Sequence, residues 1–137
     1  MGIRKVGLVN LSAEETYVES VVRVDARPLW NEVCTLIEGK SYSNKATGYW
    51  WDWFVRSGPE GYSGILLKPF SHGKRSPDDN WFCLTGAIDE DPKTVFRIGS
   101  SKTWTAPRAG RLTCFANDIP AMCWNNWGEV RVEIGTT

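Results

Sequence analysis

Apolar residues recur at every second position through several short segments of this chain, the period of a strand with one face in a core. The C-terminal end is clearest. Leu112, Cys114 and Ala116 alternate with Arg111, Thr113 and Phe115, and Val130, Val132 and Ile134 alternate with Glu129, Arg131 and Glu133. Val22, Val24 and Ala26 repeat the pattern around Arg23 and Asp25. Further β-prone stretches cover residues 33–37, 49–55, 64–67, 81–88, 95–98 and 102–105. Turn residues separate them: Glu38-Gly39-Lys40, the run 57–61, Pro69, Asp89-Glu90-Asp91-Pro92 and Gly99-Ser100-Ser101. Strands of this number and spacing predict an all-β sandwich or jelly roll over residues 22–137. Residues 1–21 fit less well and read as an N-terminal extension or a first-strand region. Within them Ser12 before Ala13-Glu14-Glu15 starts either a helical turn or a tail.

A chain of 137 residues encloses one core. Sixteen basic residues offset sixteen acidic ones, so no net field draws it to nucleic acid or to an anionic membrane. No apolar run reaches the roughly 18 residues of a spanning helix. The start, Met1-Gly2-Ile3-Arg4-Lys5, lacks the pattern of a cleavable signal, and the expected location is cytoplasmic, or outside the cell by export without such a signal. Cys34, Cys83, Cys114 and Cys123 form no C-x-x-C pair, which disfavours zinc and predicts reduced thiols, with a Cys114–Cys123 bridge left open. Eight tryptophans are more than a core of this size needs, so some are available to a ligand or a partner.

Chemistry concentrates in the run from Asn117 to Gly128 between the last two strands. It is longer than a strand connection requires, and it carries one carboxylate and three side-chain amides. Oxygen-rich loops suit a hard cation such as calcium. Pro120 keeps this one from closing as a hairpin, and Asp118 precedes Asn125 by seven positions, enough to curl both around one ion. The competing reading is that Asn and Asp serve their own turns.

The order Asn117-Asp118-Ile119-Pro120, Asn125-Asn126, Gly128 and an alternating final strand resembles the calcium-dependent galactose-binding lectin family of LecA (PA-IL), which shows N-D-x-P-x-x-x-x-N-N-x-G. Collinear segments extend the likeness over roughly residues 22–135. Ala46-Thr47-Gly48-Tyr49-Trp50 resembles A-x-G-W, Gly58-Pro59-Glu60-Gly61 resembles G-P-x-G, and Ser76-Pro77-Asp78 resembles H-P-D. The resemblance implies a galactose-binding-domain-like β-sandwich that binds one calcium ion through Asp118, Asn125, Asn126 and the carbonyls of Met122 and Asp52. Two vicinal hydroxyls of a galactose-type sugar complete the shell and bond to Asp52, Asp118, Asn125 and Asn126. The sequence departs from the family in three places, one of them Cys83, which stands alone where the family has a short-range cysteine pair. Asp52 replaces an aromatic residue, and Ser76 replaces a histidine whose sugar contact would pass to His72, Asp79 or Asn80.

The expected protein is thus a non-enzymatic, multivalent lectin, a homo-oligomer of two or four copies that meets membranes only through glycans. A calcium-dependent lipid-headgroup binder and a glycosidase are the competing classes. For the latter, Asp78-Asp79 and Asp89-Glu90-Asp91 offer carboxylates but read better as solvated loops. Trp51 and Trp53 share a strand face opposite Trp50, so one face is core and the other serves the sugar or a subunit contact.

Overall fold

The computed structural model describes residues 3–5 and 17–137, and the expected helical turn near Ser12 lies outside them. Among the described residues ten strands form two antiparallel sheets. The first contains β1 (Ile3–Lys5), β2 (Tyr17–Asp25), β10 (Asn126–Thr136), β4 (Ser41–Asp52) and β5 (Val55–Ser57) in that order, and β8 (Ser101–Thr105) also pairs with β4. The second runs β3 (Asn31–Leu36), β9 (Gly110–Ala116), β6 (Leu84–Ile88) and β7 (Phe96–Arg97). Three 3-10 segments complete the described chain: Ile65–Gly73, Pro92–Thr94 and Pro120–Asn125.

The alternating triplets meet between the sheets. Val22, Val24, Val130, Val132 and Ile134 from the first sheet pack in one cluster with Leu112, Cys114 and Ala116 from the second. Each fully buried aliphatic chain among them contributes roughly 1.5–3 kcal/mol by leaving water. On β4 the inward positions are Tyr42, Asn44, Ala46 and Trp50. Trp50 is fully buried because its Nε1–H donates to the Phe82 carbonyl at 3.0 Å, which satisfies its one polar atom. Burial pushes the Cys83 and Cys123 thiols up to about 11 and Cys114 further, so all three stay protonated, and no disulfide joins Cys114 to Cys123.

Three expected strands differ. Residues 64–67 belong to the 3-10 segment, since Gly64 adopts φ +52° and Leu67 N–H donates back to its carbonyl at 2.8 Å. The aromatic run 49–55 is not one strand: β4 begins at Ser41, where the residues are too polar to signal it, and ends at Asp52. Trp53 then turns the chain with φ +58°, so it does not share a face with Trp51. Residues 81–83 stay outside β6, because Phe82 also takes a positive φ of 60°.

Glu60 ties the turn after β5 to the turn between β7 and β8. Its carboxylate pairs with Arg97 and accepts hydrogen bonds from the Ser100 N–H and Oγ–H. These bonds, the Ser100 N–H foremost, hold its pKa below the ordinary glutamate value. A depressed folded pKa means the contribution is complete above the unfolded pKa and fades as pH falls through the folded one. Glu60→Gln is therefore expected to lower the melting temperature at pH 7. The gap to the parent should close as the pH drops below about 4, as followed by circular dichroism.

Candidate functional site

β9 ends at Ala116 and β10 begins at Asn126, so everything between them sits at one end of the sandwich. Proline at position 120 opens the 3-10 segment without needing a backbone donor. β10 then pairs with β4 residue for residue, from Asn126 opposite Asp52 to Thr136 opposite Tyr42. This register brings the loop against the end of β4. Trp53 N–H donates to the Asn125 carbonyl at 3.1 Å, and Trp127 Nε1–H donates to the Trp53 carbonyl at 2.7 Å. Trp51 and Trp127 stack on the outer face, 4.2 Å between ring centroids and 7° from parallel.

Asp118 is almost fully buried. One carboxylate oxygen accepts the Ile119 N–H at 2.7 Å and the other accepts the Asn126 amide at 3.1 Å. It forms no ion pair among the described residues, and burial, with a smaller contribution from the negative charge of Asp52, raises its pKa above the usual aspartate value. Asn126, which donates that bond, and its chain neighbour Asn125 each have a buried amide oxygen with no hydrogen-bond partner among the described residues. An unpartnered buried acceptor costs about 1–3 kcal/mol, and these three groups, one carboxylate and two amides, form no ion pair with a cationic side chain among the described residues. That is the electrostatic condition of a hard-cation site, and these residues fit one.

Asp52, Asp118 and Met122 line a single cavity of about 310 Å³, with Leu67, Phe70, Trp81 and Ile119 as apolar walls. The structure therefore brings Asp52, Asp118, Met122, Asn125 and Asn126 to one end of the fold. His72 and Asp79 do not line this cavity. His72 is exposed on the segment Ile65–Gly73, and the Asp79 carboxylate accepts the Ser76 hydroxyl at 2.5 Å. No cluster of three or more His, Cys, Asp or Glu is placed to bind a metal among the described residues, so any cation here depends on amide and carbonyl oxygens.

Two participants were not legible in the sequence. Tyr62 donates its hydroxyl to Asp52 at 2.6 Å, and burial followed by the bond and charge of Asp52 raises the phenol well above its ordinary pKa, so it remains a donor. Its position depends on a bridge to Trp81, nineteen residues away in sequence, with N–H to carbonyl bonds of 2.8 and 3.0 Å. Asn117, expected only as part of the loop motif, fixes the neighbouring loop. Its side chain accepts the Ser76 N–H at 2.9 Å and donates to the carbonyls of Ser76 at 2.8 Å and Asn80 at 3.0 Å.

No protein-family model matches the chain, and no curated protein matches it in sequence. Among solved structures it is similar to the N-terminal domain of EclA, described as a PllA-like lectin. The two superpose with a TM-score of 0.65 at 21% identity over 85% of this chain and 95% of that one. At that identity the likeness establishes the fold, an all-β sandwich of the kind found in a lectin domain.

Asn117→Ala removes four side-chain hydrogen bonds, counting a 3.4 Å contact to the Asp79 carbonyl, from a fully buried position. A loss of about 2–4 kcal/mol is expected from the unpaired groups left behind. Hydrogen exchange should show faster opening at residues 76–80 than in β9, while an unchanged exchange map would dissociate Asn117 from that loop.

Proposed function

We propose that the protein is a calcium-dependent carbohydrate-binding protein that takes galactose-type sugars in the cavity beside Asp118. The observation that carries this reading is the pair of buried, unpartnered amide oxygens of Asn125 and Asn126, the latter residue bonded to a buried carboxylate that forms no ion pair among the described residues. Asp118, Asn125, Asn126 and the carbonyls of Met122 and Asp52 would hold the ion. Bound there, calcium supplies open coordination positions for two adjacent sugar hydroxyls. The protein's own groups do the rest. Carboxylate and amide oxygens accept the hydrogen bonds those hydroxyls donate, Tyr62 keeps the Asp52 carboxylate oriented, and the exposed Phe70 offers apolar surface to the C–H face of the ring.

A glycosidase reading has one observation in its favour, two carboxylates on one cavity with the Asp118 pKa raised. Against it, both Asp118 oxygens accept N–H bonds, which suits a permanent carboxylate better than a proton donor.

Calcium at millimolar concentration is expected to raise the melting temperature of the parent protein by several degrees, because a ligand bound only by the folded state stabilises it. Asp118→Asn should fold, keep its unliganded stability or gain slightly from losing a buried charge, and lose the calcium response entirely. No calcium response in the parent protein would refute the ion site.

Calorimetry with methyl galactoside should give a dissociation constant on the order of 0.1–1 mM with calcium and no heat of binding with excess chelator. Equal binding under chelator would sink the shared-ion arrangement, and release of nitrophenol from an aryl galactoside would favour the enzyme.

A further inference from the structure

A second cavity, of about 280 Å³, lies on the other side of the loop and is lined by Leu29, Trp30, Arg75, Pro92, Val95 and Pro120. Ile119 faces the first cavity and Pro120 the second, so the two share one stretch of backbone as a wall. Arg75 follows the segment Ile65–Gly73 and is anchored by its N–H, which donates to the Asp118 carbonyl at 3.3 Å.

The state of Arg75 is unusual. Its guanidinium sits 3.4 Å over the Phe115 ring and 4.2 Å from the Trp30 ring centroid, and one Nη1–H donates to the Leu29 carbonyl. Trp30 and Phe115 meet edge to face at 5.4 Å, which fixes the platform. Among the described residues no Asp or Glu forms an ion pair with this cation, which the two rings and the Leu29 carbonyl hold instead. Burial depresses its pKa to about 10, well within the range where it stays charged at neutral pH.

We propose that this cavity is a second binding site, for a small carboxylate carried on an apolar body. A single half-buried guanidinium offsets one negative charge, and its planar fork matches a carboxylate. A dianionic phosphate would leave excess charge against walls of leucine, valine, proline and tryptophan. Those walls instead fit a ring or a short branched hydrocarbon, and the volume falls just below the roughly 300–1,000 Å³ of drug-sized sites, which suits a smaller ligand. The site is independent of the cation site and of the carbohydrate reading.

Sodium benzoate is the probe, titrated into the full chain while the Trp30 indole N–H is followed by NMR. Saturable shifts are expected with a dissociation constant on the order of 1 mM, and benzamide should bind at least about tenfold more weakly, as loss of one charge-assisted bond implies. The benzoate result should be the same in calcium and in chelator. Arg75→Gln should abolish binding. Because that change also disturbs the aromatic stack, Val95→Trp provides a second variant that fills the cavity and leaves Arg75 in place, and it should abolish binding too. Absence of saturable shifts in the parent protein would overturn the proposal, as would equal binding of benzamide, equal binding of inorganic phosphate, or full binding by Val95→Trp.

Discussion

The pairing of β10 with β4, unbroken over eleven residues, is the constraint from which the candidate site follows. A shift of one residue would turn Val130, Val132 and Ile134 out of the core, so the buried triplet fixes the register. Once fixed, that register sets Asn126 opposite Asp52 and leaves the segment between β9 and β10 to close over the end of the sheet. Core packing thus decides where the polar donors meet.

The tension at that end is electrostatic. Two carboxylates line one cavity there, and the neighbouring Asn125 and Asn126 each bury an unpartnered amide oxygen. The local hydrogen bonds from Ile119 and Asn126 stabilise the Asp118 charge in part, yet its pKa is still raised, which means that burial wins. Across the shared backbone, Arg75 presents the opposite case, a cation that gave up water for two aromatic faces. The two are linked through the Asp118 carbonyl but not through their charged groups. One short loop therefore divides an anion-rich cavity from a cation-bearing one.

Around these cavities the surface is rich in aromatic side chains. Trp53, Phe54 and Trp124 are all more than 60% exposed, where a soluble surface ordinarily shows large rings singly. Trp51 and Trp127 cover each other by stacking, and Gly128, with φ +86°, leaves room for the Trp51 ring at a point where an added Cβ would approach within 2.8 Å. The eight tryptophans are therefore divided between the core, where Trp50 and Trp81 are buried and Trp104 packs against the cluster, and this end of the sandwich.

Strand period, turn residues and a short motif are all local signals, and they suffice to read the sandwich, its inward-facing triplets and the oxygen-rich loop from the chain alone. Leu112, Cys114, Ala116, Val130, Val132 and Ile134 lie where the alternation puts them. Local signals failed where distant chain segments overrode them. Polar Ser41 to Lys45 became strand because β8 and β10 flank it on both sides, and Trp53 and Phe82 took positive φ because long-range hydrogen bonds hold their neighbours. Only the tertiary structure placed Tyr62 on Asp52, locked the 76–80 loop to Asn117, and set Arg75 between Trp30 and Phe115. Each of those contacts joins residues between ten and forty-five positions apart, and no periodicity in a sequence encodes which remote side chain will arrive to satisfy a buried charge.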